Sequence, residues 1–337
     1  MTKRPSPISA TVDFDADGVQ HGFLKLPISN DESAWGAVMI PITVVKNGDG
    51  PTALLTGGNH GDEYEGITAL MKLTSSLEAK DVQGRVIIVP MMNVPAAMAG
   101  RRTSPMDGGN LNRSFPGDPD GSVTEKIADY FTRVMVPMCD VVLDLHSGGR
   151  TLDIIPFGAS HVLENADQQR QALEGAKAFG APYAMMMFEL DAAALFDTAV
   201  ESQGKIFVAT ELGGGGTSTP ESLAITERGV SNFLIQYGLI EGQVEMPAEP
   251  QVYLDMPDAS CYVQSEHSGL LELTLALGET VEQGQVIARV YDMTRSGTPP
   301  VEYRAERSGI LAARRFPAQV NMGDTIAVIA EVVESLA

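Results

Sequence analysis

The chain reads as an α/β fold followed by a smaller all-β part, and two observations predict it. From about Thr52 to Ile240, short β-branched runs alternate with helix-length segments. After a polar, Pro-containing stretch at Glu245–Pro250 (EMPAEP), the pattern turns to short strands punctuated by Gly, with no helix-length segment. A chain of 337 residues is also too long for one small core. The expected division is therefore 1–245, of which 1–50 form a β-rich lead-in, and 251–337.

Taken in order, Ala53–Thr56 leads through Gly57-Gly58 into a helix from about Glu63 to Leu77. Arg85–Val89 (RVIIV) and Val141–Leu145 (VVLDL) are apolar on both faces, as strands buried between two layers must be. Asp167–Phe179 reads as helix, Tyr183–Phe188 as strand and Lys205–Glu211 (KIFVATE) as strand. Pro220–Leu239 suits a long helix with Thr219 as N-cap and Pro220 in the first turn. Between Asn93 and Gly121 no clear element is visible, although Arg101, Arg102, Asn110, Asn112 and Arg113 lie there. A structureless stretch that long is functional or disordered, and a mobile surface loop is the plain alternative.

The last part carries a degenerate repeat. Ser268-Gly269-Leu270-Leu271 matches Ser308-Gly309-Ile310-Leu311, Val281-Glu282-Gln283-Gly284 matches Val320-Asn321-Met322-Gly323, and Ile287-Ala288 matches Ile326-Ala327. The offset is 40 residues at the first match and 39 at the others. Two such halves facing each other make a small β-barrel or sandwich. The repeat resembles the barrel-sandwich of lipoyl and biotinyl carrier domains, but no Lys occurs from Ser268 to Ala337 to be acylated. That removes the carrier function and leaves the shape.

Composition narrows the function classes. A net charge of −21 argues against a phosphate-binding surface, so no nucleic-acid partner is expected. It suits solubility and a cytoplasm rich in salt or compatible solutes. No apolar run approaches a spanning helix, so no membrane association is expected, and the first residues lack a signal-peptide core. Only Cys139 and Cys261 occur, far apart, which suits a reduced, cytoplasmic setting without disulfides. Assembly into a homo-oligomer stays open.

His60-Gly61-Asp62-Glu63 follows a predicted strand and opens a predicted helix, so a loop His and a first-turn Glu can converge at the strand's carboxyl edge. His146, after the strand VVLDL and before Ser147-Gly148-Gly149, emerges at an equivalent edge. Two His and one Glu are a catalytic zinc set with an open fourth position. H-x-x-E alone is a weak signal, since a first-turn carboxylate is favoured by the helix dipole anyway. The polar Asp144 and His146 ending a buried strand strengthen it. Glu211, at the end of KIFVATE and before Gly213 to Gly216, fits a general base for water at the metal, or an ordinary exposed strand-end Glu. His21, His161 and His267 lack a comparable setting and read as surface residues, while Met185-Met186-Met187 reads as core packing.

Together GGNHGDEYEG (Gly57 to Gly66), RTSPMDGGNLNRSFPG (Arg102 to Gly117), DLHSGG (Asp144 to Gly149) and TELGG (Thr210 to Gly214) resemble the succinylglutamate desuccinylase/aspartoacylase family, a branch of the zinc carboxypeptidase-like fold. The resemblance spans about Ala53 to Ile240. It implies a carboxypeptidase-like mixed sheet flanked by helices and one Zn2+ per chain on His60, Glu63 and His146. It also implies Glu211 as general base, Arg102 as oxyanion stabiliser, and Asn112 and Arg113 as a clamp for the substrate's carboxylate. Arg101 and Arg102 are not separable by chemistry; spacing to Pro105 favours Arg102. One position departs from the family, which often has Asp where Asn110 stands, bonded to the first zinc His. An uncharged acceptor raises ligand basicity less.

The implied activity is hydrolysis of the amide bond of a small N-acyl amino acid. Motif wording and chain length are most similar to the branch that deacetylates N-acetyl-diaminobutyrate in ectoine breakdown. Aspartoacylase or desuccinylase activity, a peptide carboxypeptidase, and a non-catalytic ligand-binding protein on the same fold are the alternatives.

Overall fold

The computed structural model describes residues 4–188 and 193–336, so the first three residues of the lead-in and Ala337 lie outside it. A long mixed sheet runs through the molecule. Beyond the two-residue edge strand Ser9–Ala10, its hydrogen-bonded order begins Gly18–Asn30, Ser33–Asn47, Gly84–Val89, Thr52–Gly57, Val141–His146 and Ile206–Glu211. It continues through Phe157–Ser160, Tyr183–Met186 and Val252–Asp255 to Thr325–Val333. The first two strands are an antiparallel hairpin, the β-rich lead-in expected from the sequence.

At the centre, Val141–His146 lies parallel to both Thr52–Gly57 and Ile206–Glu211. Because side chains alternate across a strand, Leu54, Val142 and Phe207 enter one apolar layer while Leu55, Leu143 and Val208 enter the other. The first layer is covered by Val123–Tyr130 and Phe196–Glu201, the second by Tyr64–Ser76, Ala166–Ala178 and Pro220–Gln236. The double apolar faces of RVIIV and VVLDL have this cause.

Helix boundaries fall where local chemistry puts them. Thr219 caps Pro220–Gln236 by accepting from Ser222 N–H at 3.0 Å, with Pro220 in the first turn. The segment 93–121 is not the structureless loop the pattern suggested. It holds a short helix, Val94–Ala99, capped by Asn93, and a single turn at Leu111–Arg113. Both are too short for a periodic signal, and Leu111 and Phe115 pin the segment by burial in the first apolar layer.

The C-terminal strands pair across the repeat. Gly269–Leu273 bonds Val286–Tyr291 and also Gln319–Val320 from the other half. The equivalent Gly309–Arg315 bonds Thr325–Val333 and Thr280–Val281, so each half lends its short strand to the other. The matched positions Leu271, Val281, Ile287, Leu311, Val320 and Ile326 share one apolar cluster between the two sheets. Among the described residues these strands do not close into a barrel. They are also stitched to the rest: Gly309–Arg315 pairs Leu152–Ile154, and Val252–Asp255 lies between Tyr183–Met186 and Thr325–Val333.

Candidate functional site

Register builds the site. Thr56 lies opposite Asp144 and His146 opposite Glu211 on adjacent parallel strands, which places them at one carboxyl edge. His60 sits on the loop after Thr52–Gly57, and Glu63 is the residue flanking the helix Tyr64–Ser76, with extended backbone (φ −107°, ψ 103°). Gly61 between them has a steric cause: a Cβ there would stand 2.0 Å from the Ala96 carbonyl carbon. The loop therefore presses against Val94–Ala99, which brings the segment carrying Arg102, Asn112 and Arg113 over the strand edge.

His60, Glu63 and His146 offer ligand atoms within 4.8 Å of one another. His60 Nδ1 lies 2.7 Å from Glu63 Oε1, and His146 Nδ1 lies 2.9 Å from Glu63 Oε2. The outer nitrogens face oxygen: His60 Nε2 is 3.2 Å from Asn110 Oδ1, and His146 Nε2 is 2.8 Å from Asp144 Oδ2. A neutral imidazole that donates from Nε2 keeps a bare lone pair on Nδ1. Both lone pairs would then face carboxylate lone pairs at hydrogen-bond distance, which is repulsive unless a cation or proton lies between them. Two imidazole nitrogens and a carboxylate suit a divalent ion of the zinc type, so the donor set fits a metal.

Electrostatics agree. Burial alone would raise the Glu63 carboxyl, yet His60 and His146 together hold it well below the usual range. Burial pulls the His60 pKa down, and it would lower His146 as well, but Asp144 and Glu63 lift His146 well above its ordinary value. Ser147 N–H and an Arg102 guanidinium N–H also donate to Glu63, at 3.2 and 3.3 Å. Burial, and then the nearby Glu63 charge, push Glu211 up to about 8. Its Oε2 is enclosed without a hydrogen-bond partner among the described residues, so this carboxyl is not engaged structurally.

The proposed ligands, base and substrate-binding residues line one cavity of about 130 Å³: His60, Glu63, His146, Glu211, Arg102, Asn112 and Arg113. Arg101 is exposed and does not line it, which separates the two arginines. Asn112 spends its side-chain oxygen on Phe196 N–H at 2.9 Å, leaving its amide N–H groups as donors. Arg113 Nη1 donates to the Asn112 carbonyl at 2.6 Å.

Several residues were not found from sequence. In the sequence, Asp144 strengthens the metal reading but has no role of its own. It is the buried acceptor that orients His146, and it also takes Thr56 Oγ–H at 2.7 Å and Asn59 Nδ2–H at 3.1 Å. Its spacing was the available signal, since residues two apart on a strand share a face. His161 is a correction: it is buried, not on the surface, bonds Glu201 through Nδ1 at 3.0 Å and lines the cavity with Asp197 and Met187. His21 and His267 are exposed as expected. Behind Glu211 lies an apolar hollow of about 100 Å³ walled partly by Tyr262, Ala312, Ala313 and Val328. No short-range pattern could reveal that contribution of the C-terminal strands.

Residues 49–237 match the family model of the succinylglutamate desuccinylase/aspartoacylase catalytic domain, and the chain belongs to that family. Within it, the chain is 87% identical over 334 residues to the N-alpha-acetyl-L-2,4-diaminobutyric acid deacetylase of Halomonas elongata, covering 99% of this chain and 98% of that protein. The product-bound structure of the ectoine utilization protein EutE (DoeB) from Ruegeria pomeroyi superposes with a TM-score of 0.95 at 55% identity, over 97% of this chain and 99% of that one. A succinylglutamate desuccinylase/aspartoacylase structure from Rhodobacter sphaeroides gives 0.93 at 39% identity, over 97% and 100%.

Proposed function

We propose that this chain is a zinc-dependent amidohydrolase that removes the acetyl group of N-α-acetyl-L-2,4-diaminobutyrate in ectoine catabolism. The observation that carries the reading is the convergence of His60, Glu63 and His146 beside the unengaged Glu211 carboxyl in one cavity. The name of the Halomonas elongata relative supplies the substrate. When bound to those three side chains, zinc would polarise a carbonyl and make water acidic enough to attack near neutral pH.

The chain's own residues do the rest. Glu211 accepts the proton of the water that adds to the amide carbonyl. It then delivers the proton to the departing nitrogen as the C–N bond breaks, giving acetate and the free amine. Arg102 aims a guanidinium at the oxyanion. The Asn112 amide N–H groups and the Arg113 fork take the α-carboxylate, a planar contact suited to two parallel hydrogen bonds. Walls contributed by Ala312, Ala313 and Val328 behind Glu211 favour a small acyl group over a peptide.

The same reading treats residues 1–245 as a carboxypeptidase-like catalytic unit and 251–337 as a barrel-sandwich unit. It places the protein in the cytoplasm, and self-association would be read by sedimentation. The decisive experiment is a panel of N-acetyl-diaminobutyrate, N-acetylaspartate and N-succinylglutamate with zinc-loaded protein. Preference for either of the last two overturns the substrate; turnover that survives Glu211→Gln overturns the role of Glu211.

A further inference from the structure

The cavity continues past the metal-ligand set toward the helix Phe196–Glu201, where Asp197 forms part of its wall. Asp197 is only 5% exposed. One carboxylate oxygen, Oδ1, accepts from the N–H and hydroxyl of Thr198. Among the described residues the ion pairs next to it go elsewhere, Arg102 to Glu63 and His161 to Glu201. A buried carboxylate without a cation is costly, and such a cost is retained where a ligand relieves it.

Its placement relative to the carboxylate clamp is fixed by a bond already described. Asn112 Oδ1 holds Phe196 N–H, so the clamp is tied to the residue directly before Asp197. One stretch of wall thus presents donors for a carboxylate and, next to them, an acid in no ion pair among the described residues. Beside it, His161 is held by Glu201 and stacked on Phe207 at 6.4 Å between ring centres. The adjoining hollow of about 440 Å³ adds Glu201 and Asp255 and, among the described residues, no Lys or Arg.

We infer that Asp197 is the specificity-determining residue that seats the side-chain ammonium of the substrate. This rests on the deacetylase reading and deepens it: the site is complementary to an N-acyl amino acid with a cationic side chain, and repels one with an acidic side chain. Met187, Phe207 and Ala209 line the same cavity and supply apolar contact for the methylenes between the two charges.

The test compares kcat/KM for N-acetyl-L-2,4-diaminobutyrate and N-acetyl-L-norvaline, which has a methyl group where the ammonium stands. Wild type, Asp197→Asn and Asp197→Ser are measured, the first variant keeping an acceptor for Thr198 N–H. The preference for the ammonium substrate should collapse by on the order of 100-fold in the variants, mostly through KM. If wild type shows that preference and a folded variant keeps it within about 3-fold, well below the cost of uncovering a buried charge, Asp197 is not the seat and the deacetylase reading stands. If wild type does not turn over the diaminobutyrate derivative, the functional reading itself fails. Should neither variant fold, inhibition of wild type by 2,4-diaminobutyrate against norvaline reads the same seat, and equal inhibition overturns it.

Discussion

The two histidines proposed to hold the metal are backed unequally, and exchanging their backing should move metal affinity in opposite directions. His146 Nε2 donates to the buried carboxylate of Asp144 at 2.8 Å, whereas His60 Nε2 meets the Asn110 amide oxygen at 3.2 Å. A hydrogen bond to a charged acceptor exceeds one to a neutral acceptor by about 1–2 kcal/mol, roughly 5–30-fold in binding. Asp144 also receives Thr56 and Asn59, so three donors converge on it. An amide oxygen has two lone pairs, so Asp144→Asn orphans one buried donor in addition to losing the charge. The expected loss of zinc affinity for Asp144→Asn is on the order of 10–100-fold. Asn110→Asp should tighten binding by about 3–10-fold, its bond being longer and partly open to water. Competition against a chromophoric chelator at fixed pH measures both. Shifts in the same direction, or both variants matching wild type, would refute the claim that these acceptors tune the ligands.

Other perturbations follow from the same geometry. In chelated protein, Glu211→Gln should raise the melting temperature by about 2–6 °C at pH 8.5 and leave it unchanged near pH 5. Burial holds the Glu211 carboxyl up to about 8, so above the ordinary carboxylate range the unfolded chain releases a proton that the folded chain retains. Stability therefore falls as pH rises through that window, and glutamine removes the fall; a pH-independent difference would contradict this. Gly61→Ala should destabilise by about 3 kcal/mol or more in a denaturant titration, because a Cβ at 2.0 Å from backbone forces the His60 loop off the helix Val94–Ala99. Arg113→Lys should raise KM about 10–100-fold with a smaller change in kcat, since an ammonium cannot reproduce a planar fork.

Much of this was legible in the sequence, for definite reasons. Strands buried between two layers must be apolar on both faces, which exposed RVIIV and VVLDL, and a polar residue at such a strand's end, as at His146, has to be explained by its site. Thr219 and Pro220 marked a helix start because capping chemistry is local. What stayed hidden depends on contacts distant in sequence. Asp197 and His161 reach the cavity through a helix and a strand whose positions only the assembled sheet defines. The short helix in 93–121 was missed because six residues cannot display a helical period. The wall behind Glu211 comes from strands about a hundred residues later, and nothing near Glu211 announces them.

The exchange of short strands between the two C-terminal halves has a consequence for how the enzyme is made. Gly269–Leu273 lacks one edge partner until Gln319–Val320 has emerged, and Thr325–Val333 arrives later still, carrying Val328 into the hollow behind Glu211. The proposed metal ligands, by contrast, are all synthesised by residue 146. During translation, which delivers about 5–20 residues per second, these three residues emerge well before the strand that completes the hollow. A chain ending before Thr325–Val333 would keep every residue that lines the cavity at His60, Glu63 and His146 but would lack Val328 in the hollow behind Glu211. The hollow behind Glu211 is thus completed only by the last strand.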